Sequence, residues 1–266
     1  MTSRIKLPRP QLRKSPIVPP ADSEEDELRM SLLEHLDELR QRLFKAALAL
    51  VIGTVVGTIF ASDVLEFLKR PYGEQAFVAL GPTDSIVSYF RVALMIGAII
   101  SVPMITYQVL MFVLPGLTRK ERRLVLTALP GITLLFLIGV VFTWLLLIPP
   151  AINFFAGFQP ELFENFWTAD RYLGFVTALL FWMGVAFETP LVFFVVSLLG
   201  MVTARTLINN WRIAVVGASI AAALITPTID PVNMFLVMGP LLALYVLSIL
   251  LVSIGSRINR AGNPES

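Results

Sequence analysis

Few side chains in this 266-residue sequence could do chemistry. Cys is absent and His35 is the single His. That excludes a disulfide framework, a thiol nucleophile, a zinc finger and a multi-His metal site. No G-x-x-x-x-G-K-[ST] run supplies a phosphate cradle, and no H-E-x-x-H supplies a metalloprotease centre. What remains is a set of carboxylates, Glu38, Glu121, Glu188 and Asp230, with basic residues such as Arg40, Arg119 and Arg91. A carboxylate presented at a membrane surface, as Glu121 would be in a functional reading, can bind a guanidinium through two parallel hydrogen bonds. No cofactor is expected.

Each of these residues also has a plainer reading. Glu38 belongs to SLLEHLDELRQRLF (Ser31–Phe44), where Leu32, Leu36, Leu39 and Leu43 recur at helical spacing and Glu34, Asp37, Glu38 and Gln41 lie opposite. Ser31 followed by Glu34 fits a capping box, so a helix is predicted to start there. Pairs such as Glu38–Arg42 and Asp37–Arg40 would each add only about 0.2–0.5 kcal/mol to it. Glu121 lies in PGLTRKERRL (Pro115–Leu124), where Thr118 and Glu121 form a second capping-box pattern. Its carboxylate either starts a helix or is offered at a surface, in competition with Arg119, Lys120, Arg122 and Arg123.

Glu188, in VAFETPL, has no Lys or Arg near it in sequence. At membrane depth an ionisable group costs about 2.5–3.5 kcal/mol on insertion scales, so it should face a polar cavity or a partner such as Gln108. Asp230, in the turn ITPTIDP, either caps the following helix or has a functional role. Arg91 lies inside an apolar run and would snorkel outward.

The elements that must hold these residues follow from composition. Of all residues 56% are hydrophobic and only 15% charged, against about 25% charged in a soluble domain. A soluble enzyme, a disordered scaffold and a nucleic-acid reader are therefore excluded as default classes. A bilayer core about 30 Å thick needs about 20 apolar residues per helix. Six runs qualify as spans: Leu43–Ala61, Ile86–Leu114, Leu124–Ile148, Tyr172–Leu199, Ile213–Ile225 and Val232–Ser253. The fifth is short, about 20 Å long at helical rise, and the sixth is interrupted by Pro240. Pro103 is predicted to kink the second.

Of the 21 Lys and Arg, seventeen fall in the amino-terminal segment through Lys45, in the second and fourth loops and in the tail, three in the other loops, and one is Arg91. The positive-inside rule then puts both termini in the cytosol. The first span reads as a signal-anchor, since its apolar run begins only at Leu43. Residues 1–29, with five prolines followed by DSEEDE, read as a disordered cytoplasmic tail. Residues 30–257 form the membrane domain, and 258–266 a short cytoplasmic tail.

The motifs HLDELRQRL, SVPMITYQV, LPGLTRKERRL, GVAFETPL and ITPTIDP, in this order, resemble the TatC family, the multispanning receptor component of the twin-arginine protein translocase. The resemblance runs from about Ser31 to Arg257. It implies an all-α polytopic membrane protein with six transmembrane helices, both termini cytoplasmic, and short fifth and sixth helices. By the same resemblance Glu38 and Glu121 match the glutamates that recognise paired arginines of a signal peptide, and Arg40 and Arg119 match basic positions beside them. Pro71 matches a proline of the first outer loop, Glu188 the intramembrane glutamate and Asp230 the acidic residue of the last outer loop.

The implied role is non-enzymatic export of folded proteins across the inner membrane of a prokaryote. The proton-motive force would drive it, with small single-span TatA/TatB-type partners in a homo- and hetero-oligomer. Leu110, Met234 and Val246 depart from the family's usual Trp, Gln and Glu. Without the resemblance, two other readings stand: a proton-coupled small-solute transporter using Glu188, and a membrane scaffold.

Overall fold

A computed structural model describes residues 21–73, 77–113, 119–159, 161–162, 167–226 and 230–262, with the side chains of 21–33, 113, 119–121, 124 and 256–262 left aside. Among them helices dominate: α1 (Ala21–Lys69), α2 (Asp84–Val113), α3 (Arg119–Phe142), α4 (Ile148–Gly157), α5 (Ala169–Leu198), α6 (Ala204–Asn209), α7 (Trp211–Ile225) and α8 (Pro231–Gly262). A one-turn 3-10 helix, Arg70–Tyr72, follows α1, and a π turn, Thr143–Leu147, joins α3 to α4. Five helical stretches are long and apolar enough to cross a bilayer: Glu34–Tyr72, Asp84–Phe112, Val125–Gly157, Ala169–Leu198 and Pro231–Gly255. Large side chains such as Leu43, Ile59, Leu134, Ile213 and Leu224 remain exposed on the helix surfaces. Only hydrocarbon accepts such a surface with every backbone group satisfied inside helices. The chain is a multi-pass membrane protein.

The chain divides into a leading unit ending at Gln41 and a bundle from Arg42 onward. In the leading unit the helix begins at Ala21, not at Ser31. Asp and Glu favour the first turns of a helix, so DSEEDE is compatible with the helix upstream of Ser31, which is interior. The first 20 residues lie outside the described residues. Arg40 reaches Asp37 at 3.9 Å, and the Gln41 amide donates to Asp37 at 2.8 Å.

Within the bundle, α1 meets α2 through small residues spaced by four. Gly53 and Gly57 on α1 face Ala93, Gly97 and Ser101 on α2, and Ala61, one step further along α1, is buried. A Cβ on Gly97 would strike the Thr54 backbone, and one on Gly57 would strike the Ala93 carbonyl. Close backbone approach of this kind is how helices gain packing energy where lipid removes the hydrophobic drive. Hydroxyls reinforce it: Ser101 donates to the Ala49 carbonyl at 2.8 Å and Tyr89 to that of Thr58 at 2.7 Å.

Helix α5 is the hub, packed against α2, α3, α7 and α8. Gly139 of α3 receives Phe187, and Gly184 of α5 receives Phe136. The hub ends at Gly200, whose φ of 76° allows the left-handed turn that closes a Schellman cap. In that cap Gly200 N donates to Ser197 O and Met201 N to Val196 O. The π turn has a cause in sequence: Pro149 and Pro150 open α4, and a proline ring cannot sit against the carbonyl four residues back in a regular helix. The third span thus continues through Pro149 to Gly157.

The fifth apolar helix is short as expected, with 15 residues. The sixth is not short. Helix α8 has 32 residues, because SIGSRINR lacks a breaker and Pro240 is accommodated inside the helix.

Candidate functional site

Two polar pins join α2 to α5. Near the start of both helices, Arg91 Nη2 lies 2.9 Å from Asp170 Oδ1, and its Nη1 donates to the Asp170 carbonyl at 2.6 Å. A counter-charge 79 positions away in sequence holds Arg91. Gly174 makes room for this, since a Cβ there would approach Arg91 Nη1 to 2.7 Å. Further along, Glu188 is 8% exposed, and the Thr106 hydroxyl donates to its Oε2 at 3.0 Å.

Gln108 is not the partner of Glu188. Its amide oxygen accepts from Arg42 Nη1 at 3.4 Å, on the side of α2 that faces α1. Two residues are about 200° around a helix, so Thr106 and Gln108 look in opposite directions.

At the end where α2 and α5 begin, an aromatic cap closes the bundle. Pro71 sits in the 3-10 turn and fixes its φ, which presents Tyr72 to donate to the Trp167 carbonyl at 2.9 Å. Tyr172 donates to the Leu68 carbonyl at 2.8 Å. Residue Val78 bridges Thr168, with Ala169 N donating to Val78 O at 3.1 Å. Tyr72 packs on Phe77 and on Tyr172 at ring distances of 4.9 and 5.3 Å.

Asp230 caps α8: Asn233 N donates to Oδ1 at 2.7 Å and Asn233 Nδ2 to Oδ2 at 3.0 Å.

Among the other expected residues, Glu38 is partly exposed on the leading helix, 3.9 Å from His35 Nδ1, with Arg40 on the same helix. Arg119 and Glu121 belong to the first turn of α3 by backbone. Their side chains, and Thr118 with the second capping box, lie outside the described residues. Leu110 is buried against Val125, Ile132 and Val195, while Met234 packs on the main core and Val246 is exposed. Among the described residues no cluster of His, Asp and Glu could hold a metal.

Sequence reasoning missed Asp170, Thr106 and the two tyrosines. A signal for the first existed: an arginine inside an apolar span needs a partner at its own depth, and Asp170 opens the fourth span.

Comparison with known proteins then places the chain. The family model for Sec-independent protein translocase protein (TatC) matches residues 34–240. The Synechocystis sp. protein named Sec-independent protein translocase protein TatC is 38% identical over 224 residues, covering 84% of this chain and 88% of that protein. A chloroplastic TATC from Pisum sativum is 34% identical over 235 residues, covering 87% of this chain and 66% of that protein. A crystal structure of the twin arginine translocase receptor TatC superposes with a TM-score of 0.73 at 34% identity, covering 84% of this chain and all of that one. With family, sequence relatives and solved structure in agreement over most of its length, the chain belongs to the TatC family.

Proposed function

We propose that this protein is the receptor for twin-arginine signal peptides and the membrane core of a translocase that exports folded proteins. The observation that carries the reading is the family match across residues 34–240, which includes both Glu38 and Glu121. Two arginines stay charged at any cellular pH and present planar forks. Two carboxylates held on helices, one on α1 and one in the first turn of α3, answer that pattern. A charge-assisted bond at a partly dry surface contributes about 1.5–3 kcal/mol, so a lysine, lacking the planar fork, substitutes poorly. Arg40 and Arg119 would keep the neighbouring field balanced.

In this reading both termini face the cytosol, as the distribution of basic residues supports. All six apolar helices span, with α7 reaching through a thinned bilayer. The membrane is the inner membrane of a prokaryote. Energy comes from the proton-motive force, and TatA/TatB-type single-span proteins complete the oligomer. Pro71 and Asp230 shape the outer face, the first through Tyr72 and the second through the cap on α8.

The test is photo-crosslinking of a twin-arginine peptide to probes placed at positions 38 and 121, alongside binding by Glu38→Ala and Glu121→Ala. Each variant is expected to lose at least about tenfold in affinity while still inserting. Wild-type binding by both would sink the assignment of these residues.

A further inference from the structure

A cavity of about 700 Å³ lies beside the Arg91–Asp170 pin, and the export reading makes no use of it. Its mouth is charged. Arg91, Arg171 and Asp170 line it, so the cationic groups outnumber the carboxylate. Asp170 occupies one contact each from Nη1 and Nη2 of Arg91, and a guanidinium carries five donors, so a face of Arg91 remains for a ligand.

Deeper in, the lining turns apolar: Leu94 and Ala98 from α2, Ala178 and Phe181 from α5, and Leu50 from α1. From Arg171 to Phe181 the slot runs about 15 Å along α5. The aromatic cap of Tyr72, Trp167 and Tyr172 sits at the same end as the charged mouth, the level at which such rings anchor a protein to the membrane–water interface.

A cationic mouth at headgroup level above a greasy slot has the polarity profile of one lipid molecule. We propose that this cavity binds a single anionic phospholipid, its phosphate on Arg171 and the unused face of Arg91, and one acyl chain along Leu94, Ala98, Ala178 and Phe181. The excess of positive charge at the mouth selects an anionic headgroup over a zwitterionic one. Gly174, Ala98 and Ala178 keep the slot open by offering little side-chain volume.

The full chain, purified in detergent and stripped of lipid, would be titrated with phosphatidylglycerol and followed by native mass spectrometry. The expected result is one retained lipid per chain. Arg171→Gln should weaken retention about tenfold, the loss of a charge-assisted contact, and Ala178→Phe should weaken it comparably by filling the slot. Both variants should elute from gel filtration as the parent does. Arg171 is exposed, so its variant keeps the test open if Ala178→Phe fails to fold. Equal retention of phosphatidylglycerol by the parent and Arg171→Gln would overturn the proposal, as would equal retention of phosphatidylcholine by the parent. Displacement of the lipid by millimolar inorganic phosphate would reduce the site to an anion pocket and also overturn it.

Discussion

The two pins between α2 and α5 solve the same problem by opposite means. Near the helix starts a full charge is inserted, Arg91, and a full counter-charge meets it, with the two side chains 33% and 39% exposed. About 22 Å further along α2, and about 27 Å further along α5, the acid Glu188 meets, among the described residues, only the hydroxyl of Thr106. The first arrangement holds helices together, because neither charge tolerates the loss of the other. The second leaves a buried acid with a weak neutral partner. Such a group contributes little to packing and stays available for polar work.

The contrast breaks if removing Asp170 is harmless. Asp170→Ala leaves Arg91 beside Arg171 without its counter-charge. A fully buried pair would lose about 3–5 kcal/mol; with about a third of each side chain in contact with solvent, about 2 kcal/mol is expected. For a chain of this size that lowers the midpoint of thermal unfolding in detergent by about 4–8 °C. Exchanging the charges, with Arg91→Asp and Asp170→Arg together, should recover at least half of the loss. An unchanged midpoint in the single variant would show that lipid or water, not Asp170, neutralises the arginine.

Glu188 should behave the other way. Glu188→Leu is expected to move the midpoint by no more than about 0.5 kcal/mol equivalent, since an apolar side chain suits the surroundings and Thr106 can turn its hydroxyl to its own helix backbone. Export of a twin-arginine reporter, measured as the exported fraction, should fall strongly. Glu188→Gln keeps hydrogen-bonding capacity and should fall less. Equal export defects in the two variants would mean that ionisation, not polarity, is what the position supplies.

These two sites also mark how far sequence could be read. Apolar runs gave the spans because lipid demands about 20 such residues whatever the fold, and the fifth helix was short for the same reason in both views. Glu188 stood out because an acid in VAFETPL has no local partner. Its actual partner did not, since Thr106 and Gln108 both lie in the second span and only the rotation of α2 decides which faces α5. The Arg91–Asp170 pairing joins positions far apart in sequence, so no local pattern announces it. Helix starts failed where two signals competed: Ser31 and Glu34 look like a cap, yet the acidic run upstream continues the helix to Ala21. The four-residue spacing of small residues in Gly53, Gly57 and Ala61 was legible and went unread, because a glycine in a span is equally compatible with flexibility and with close packing. The roles proposed for Glu38 and Glu121 rest on family motifs, since spacing alone fits a solvated helix face for the first and a capping box for the second.

The smallest expected effect measures the second pin itself. Thr106→Val keeps shape and removes the donor, so its cost is the hydrogen bond to Glu188 together with any burial of an unpaired acid. Interhelical hydrogen bonds in membrane proteins average about 0.6 kcal/mol by double-mutant cycle. The cycle formed by Thr106→Val, Glu188→Leu and the pair should therefore give a coupling near about 0.6 kcal/mol, read from thermal midpoints in one detergent. That is a third or less of the loss expected from Asp170→Ala. A coupling as large as the ion pair's would make Thr106–Glu188 a structural clasp of equal rank, and the division of labour between the two pins would fail. A coupling of zero would mean that Glu188 finds its stabilisation from water or a bound partner.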